Sequence, residues 1–254
     1  MRAYNFTTIL VAAVIAATLW PGTNAFALDN FRLLEKFGKQ VKWGDPAIGS
    51  GAKVTYAYVV KPVEHPATLN CSRMTSLDGL LATSGISADV LREEVNAAFA
   101  AWENAANISF VETEDQATAQ IQIGAQSTPR RFAFANVDSS EAQGAGIGTI
   151  HRSLICLNPL IKWKVGFDGD LTVYDLRYTF IHEIGHAIGL DHAGASGQMM
   201  SFTYRESFRD LQPGDISGIE ALYGARPEKI DLAASDTAPS PAPVEQSPHT
   251  AVRP

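Results

Sequence analysis

Three histidines and a glutamate stand in fixed register in His182-Glu183-Ile184-Gly185-His186-Ala187-Ile188-Gly189-Leu190-Asp191-His192, the pattern HExxHxxGxxH. Residues four apart on a helix are separated by about 400° of rotation and roughly 6 Å of rise, so His182 and His186 share a face and can address one ion. Gly189 can adopt the left-handed backbone that ends a helix without a Cβ penalty, and the turn it permits brings His192 back toward the same point. Glu183, beside the first histidine, is placed to hold a water at the ion rather than the ion itself.

Three neutral imidazoles around Zn²⁺, each at about 2.0–2.1 Å, leave a fourth position open, which separates a working metal centre from a closed structural one. A bare HExxH also occurs in helices that hold no metal. Adding Gly189 and His192 in register makes chance a poor account, and the pattern points to a zinc hydrolase with Glu183 as general base.

The eleven residues resemble the zinc signature of the metzincin metallopeptidases, and Gly189-Leu190-Asp191-His192 resembles the matrixin, or matrix metalloproteinase, branch in particular. Downstream, Gln198-Met199-Met200-Ser201-Phe202-Thr203-Tyr204 is similar to that family's methionine turn. The stretch ending Gly218-Ile219-Glu220-Ala221-Leu222-Tyr223-Gly224 is similar to its closing helix. The resemblance implies an α+β domain: a twisted mixed sheet, a long helix, an active-site helix and a C-terminal helix. It implies that Met200 packs beneath the metal without ligating it, and that Tyr204 belongs to the substrate cleft. Asp215 matches one of two aspartates that matrixins pair in the closing helix, while Gly214 replaces the other.

The first residues read as a secretory signal. Arg2 precedes an apolar run from Ile9 to Trp20, then Pro21-Gly22 and the small-x-small site Ala25-Phe26-Ala27, so cleavage after Ala27 is expected. The expected location is secreted, extracellular or periplasmic, with no membrane span left after cleavage. Loss of Arg2 takes the net charge from −7 to −8. An acidic chain with no basic cluster is repelled by phosphates, which argues against nucleic acid and favours protein or peptide partners. The division expected is signal 1–27, a short N-terminal segment 28–42, one peptidase domain 43–225, and a Pro/Ala/Ser-rich tail 226–254 that cannot bury enough apolar surface to order itself. A monomer is expected.

Only Cys71 and Cys156 occur. In an exported chain they are compatible with one disulfide, the alternative being two buried thiols. Cys71 lies in Leu69-Asn70-Cys71-Ser72-Arg73, which does not match the matrixin cysteine that caps the metal before activation.

Val54 to Val60 is a β-branched and aromatic run that predicts a strand. Residues 62–84 are rich in turn formers and read as a loop insertion. Ser87 is a candidate N-cap for a helix over 88–104, with Val90, Leu91, Val95, Ala98, Phe99 and Trp102 at helical spacing. Ile108–Val111 and Ile121–Ile123 predict two more strands. Gly144-Ala145-Gly146-Ile147-Gly148-Thr149-Ile150 lacks the Lys and Ser/Thr of a phosphate loop, and the resemblance makes this region the edge strand above the cleft. Phe167-Asp168-Gly169-Asp170 offers oxygens to Ca²⁺, an alternative to an ordinary solvated turn. The active-site helix is expected over 171–190 and a terminal helix over 213–223.

The function these readings favour is a zinc metalloendopeptidase in which Glu183 assists a zinc-bound water. The other reading is a secreted zinc-stabilised module that holds peptides without cutting them, against which stands the intact Glu183.

Overall fold

The computed structural model describes residues 30–141, 146–194 and 197–227. The expected signal at 1–27, the tail beyond Pro227 and part of the glycine-rich stretch at 142–145 lie outside the described residues.

In chain order the elements are β1 (Arg32–Leu33), β2 (Glu35–Lys36), β3 (Lys39–Lys42), β4 (Ala52–Tyr58), β5 (Val63–Glu64), β6 (Arg73–Thr75), α1 (Asp78–Ser84), α2 (Ala88–Ala105), β7 (Ile108–Glu112), β8 (Ile121–Gln126), β9 (Ala133–Ser139), β10 (Gly148–Leu157), β11 (Trp163–Lys164), β12 (Tyr174–Asp175), α3 (Leu176–Ala187), β13 (Leu190–Asp191) and α4 (Pro213–Tyr223). The main sheet is mixed. β4 runs parallel to both β7 and β8, and β8 runs parallel to β10, in the register Ser153↔Ile121 to Leu157↔Ala125. β9 lies antiparallel on the other side of β10. This is the α+β arrangement of twisted sheet, long helix, active-site helix and closing helix.

Packing of α2 and α3 against the sheet makes the core. Leu91, Val95, Ala98, Phe99 and Trp102 of α2 are buried, and Ser87 caps that helix by accepting from Val90 N. Indole and phenol groups buried in this core also satisfy polar backbone. Trp102 Nε1 donates to Ile181 O at 3.0 Å, Trp43 Nε1 to Ala187 O at 2.9 Å, and Tyr223 Oη to Ile188 O at 2.8 Å. The last carbonyls of a helix have no partner within it, so Trp43 and Tyr223 close the end of α3 where the metal-binding turn begins, while Trp102 ties α2 to the middle of that helix.

Three expectations are corrected. Within the expected segment 28–42, the described residues from Asn30 onward do not merely precede the domain: β1 pairs antiparallel with β13, and β3 pairs parallel with β10. Lys42 is fully buried, its ammonium donating to Trp43 O, Asp45 O and Ser50 Oγ at 2.9, 2.7 and 2.9 Å. Residues 62–84 are not a structureless insertion, since β5, β6 and α1 lie within them and β6 pairs with β8. Finally, Gly148–Leu157 is not an edge strand. Residues 153–157 are all buried between two neighbours, the signature of an interior strand, and the edge belongs to β9.

Cys71 and Cys156 form a disulfide spanning 85 residues, packed with Val59, Met74 and Leu154 in a small second cluster. The bridge fastens the 62–84 excursion to the central strand. Closing a loop of this length restricts the unfolded chain, so the double substitution Cys71→Ser/Cys156→Ser is expected to lower the unfolding free energy by on the order of 4 kcal/mol. Chemical denaturation of both forms checks this; coincident midpoints would show that the bridge does not constrain the unfolded state.

Candidate metal centre

Asp175 opens α3. Its carboxylate is buried and accepts from Tyr178 N at 2.8 Å, which starts the helix five residues later than the 171 expected from the apolar pattern. Upstream, Asp170 holds Thr172 in a side-chain-closed turn instead. The helix ends at Ala187, after which Gly189 takes φ +104. A side chain there would be strained, and its Cβ would meet Val41 O and Leu222. The chain therefore turns at Gly189 and runs along β13 to His192.

The three imidazoles converge. His182 Nε2 and His186 Nε2 each lie 3.3 Å from His192 Nε2. The Nδ1 atoms of the first two point away, to Met199 O at 2.8 Å and Leu190 O at 2.9 Å. A carbonyl only accepts, so these contacts assign the proton to Nδ1 and leave Nε2 as a bare lone pair. Burial, with His186 and His192 nearby, pushes the His182 pKa down to about 3; burial and His192 push His186 down to about 4; burial lowers His192 too. Neutral rings with lone pairs facing one another at this distance repel unless a cation stands between them. Two nitrogens bound at about 2.05 Å with a tetrahedral angle between them are about 3.3 Å apart, so the cradle has the dimensions and chemistry of a zinc site. Among the described residues this is the one group of three or more His, Cys, Asp or Glu side chains able to hold a metal ion.

Glu183 is buried beside the cradle, with its carboxylate facing the backbone of Ala135 on β9; burial pushes its pKa up to about 8. A cleft of about 490 Å³ opens over the triad. Its walls include Phe134, Ala135 and Val137 of β9, with Tyr174, Tyr178 and Tyr204 opposite. Tyr204 lines this cleft, while its hydroxyl is committed to structure, donating to Glu206 at 2.8 Å and accepting from Asp175 N at 3.1 Å.

Both methionines of the turn are buried. Met200 packs under the helix because Gly185 has no side chain: a Cβ there would strike Met200 Sδ and the Trp102 ring. The Met199 contribution comes from its carbonyl. Two further residues do more than their sequence context indicates. Asp215 accepts from Met199 N, Met200 N and Gln212 N at 2.7, 3.0 and 2.8 Å, so it fixes the turn that carries the acceptor for His182. Gly214 leaves room for Asn30, since a Cβ would meet Asn30 O and Gln198. A carboxylate in the first turn of a helix is usually ascribed to the helix dipole, which hid this role of Asp215.

A family model described as Matrixin matches residues 80–224, more than half of the chain. The chain belongs to the matrixin family. Over 161 residues it is 29% identical to Metalloendoproteinase 4-MMP of Arabidopsis thaliana, covering 58% of this chain and 44% of that protein. Over 167 residues it is 30% identical to Matrix metalloproteinase-19 of Homo sapiens, covering 62% and 31%. A 62-residue match at 39% identity relates it to Probable matrix metalloproteinase 095L of Invertebrate iridescent virus 3, covering 24% and 16%. The chain spans less than half the length of these curated relatives. Membership in the matrixins implies a catalytic zinc ion, which the histidine cradle fits.

In this matrixin the turn at 167–170 carries a cluster of opposite charges. Lys164 pairs with both Asp168 and Glu206, and Glu206 accepts from the backbone N–H of Asp168 and Gly169, so an ammonium sits among the carboxylates.

Removing the Asp215 carboxylate leaves three backbone N–H groups without their acceptor, two of them buried, at about 1–3 kcal/mol for each buried group. Asp215→Ala is therefore expected to shift the denaturation midpoint markedly and to weaken metal retention through His182. Unfolding and zinc titration measured together test this, and an unchanged midpoint would show that the turn is held by other means.

Proposed function

We propose that the protein is a secreted zinc-dependent metalloendopeptidase that hydrolyses internal peptide bonds of protein or peptide substrates as a monomer. The observation that carries this reading is the convergence of three Nε2 lone pairs, two of them locked by backbone carbonyls, next to a buried carboxylate on the floor of an open cleft.

Zinc held by His182, His186 and His192 supplies Lewis-acid polarisation of the scissile carbonyl and acidifies water. Glu183 accepts the proton of the attacking water and passes it to the leaving nitrogen. Its enclosure keeps competing solvent away from that transfer. β9 pairs with β10 along one side, and its other side borders the cleft, so an extended substrate can add as a further strand. The wall of Tyr174, Tyr178, Tyr204 and Phe132 suits a large apolar side chain next to the cleaved bond. Export is supported by the signal pattern at 1–27; among the described residues no helix is long and apolar enough to cross a membrane.

Glu183→Gln is expected to retain one zinc per chain while cleavage of a general protein substrate falls by about two to four orders of magnitude, and a chelator should abolish wild-type cleavage. Metal analysis alongside a cleavage assay decides between outcomes. A glutamine variant cutting at the native rate removes Glu183 from its role, and wild-type protein that binds zinc but cuts nothing returns the peptide-holding module.

A further inference from the structure

The third histidine is held unlike the other two. His182 and His186 are each oriented by a backbone carbonyl. Among the described residues His192 has no such acceptor: its Nδ1 stands 3.7 Å from Asp191 Oδ1, outside hydrogen-bond range, and that oxygen accepts from the backbone N–H of His192 at 2.8 Å. The other Asp191 oxygen faces Arg32 Nε at 3.1 Å. The Asp191 carboxylate therefore orders the backbone of the third ligand and leaves its ring plane free. Rotation of a histidine ring about its last bond is broad and roughly two-fold, so a ligand without a partner swings its Nε2 away from the metal.

What restrains that ring is Phe202. The two rings stack face to face with centroids 3.7 Å apart and planes 18° from parallel. Phe202 is 78% exposed, so burial in the core does not explain its position. The backbone builds the pair in. Ala193 and Ser201, the residues next to each partner, form a parallel bridge, and Ala193 N donates to Met200 O at 2.9 Å.

We propose that Phe202 is a positioning residue for the metal centre: its stacked ring fixes the plane of His192 and does for the third ligand what a backbone carbonyl does for the other two. The inference rests on the zinc reading of the triad. Groups that orient metal ligands from outside change affinity by about 10- to 100-fold when removed, and the partly exposed ligand with the weakest restraint controls escape of the ion.

Zinc affinity of the full chain, measured by competition with a chromophoric chelator, tests this for wild type, Phe202→Ala and Phe202→Tyr. The alanine variant is expected to bind zinc about 10- to 100-fold more weakly, the tyrosine variant to recover most of the loss, and the metal-free forms of all three to unfold at the same midpoint. An alanine variant that holds zinc as tightly as wild type overturns the proposal, including the case in which it only raises KM, which would assign Phe202 to substrate contact. A tyrosine variant no better than alanine also overturns it. Wild-type protein without stoichiometric zinc would place the fault in the zinc reading itself.

Discussion

Two backbone carbonyls decide the state of this site. Met199 O and Leu190 O each accept a hydrogen bond from the Nδ1–H of a half-buried imidazole, and in doing so aim the opposite nitrogen at a common point. Much of the surrounding fold keeps those two oxygens in place. Asp215 grips the backbone on either side of Met199, and its own desolvation, which raises its pKa, is offset only in part by three N–H donors. Leu190 is held in β13 by pairing with β1 and by Leu34 N on Gly189 O at 2.8 Å. β1, Leu34 and the closing helix α4 thus meet at the metal-binding turn.

A second network sets the cleft wall. Glu94 of α2 receives Arg177 at 2.8 and 3.0 Å and Arg209 at 2.7 Å, while Arg209 also binds Asp175 at 2.9 and 2.7 Å. One arginine from the segment after the methionine turn therefore ties the long helix to the cap of the active-site helix. Buried ion pairs of this kind contribute little net stability, because desolvation cancels much of the attraction, but removing one partner leaves an uncompensated charge. Their effect here is geometric: they hold the loop bearing Tyr204 and Phe202 at a set distance from α3.

Much of the site was legible because its ligands are local. His182, His186, Gly189 and His192 lie within eleven residues, and helix geometry alone brings the first two together. The long helix 88–105 announced itself by its cap and its apolar spacing. The edge of the cleft did not. The sequence of β9, Ala133-Phe134-Ala135-Asn136-Val137-Asp138-Ser139, has weak alternation and little β-branching, whereas the strongly apolar Leu154-Ile155-Cys156-Leu157 drew attention and proved to be interior. Strands of two residues, such as β1 and β13, are too short to carry any periodic signal. Lys42 offered no hint of burial, since lysine enters an interior only where acceptors from elsewhere in the chain surround it.

By itself the sequence determined the chemistry: three imidazoles and a carboxylate in a register that a helix and a glycine turn convert into one metal cradle, with a methionine turn and a closing helix to follow. Tertiary structure alone decided what surrounds that cradle. Which strand borders the cleft, which carboxylate holds the methionine turn, and which ring restrains the third histidine all depend on contacts between separate elements, none of them repeated at a regular spacing. Such contacts arise from packing and hydrogen-bond satisfaction across the whole domain, and no local spacing encodes them.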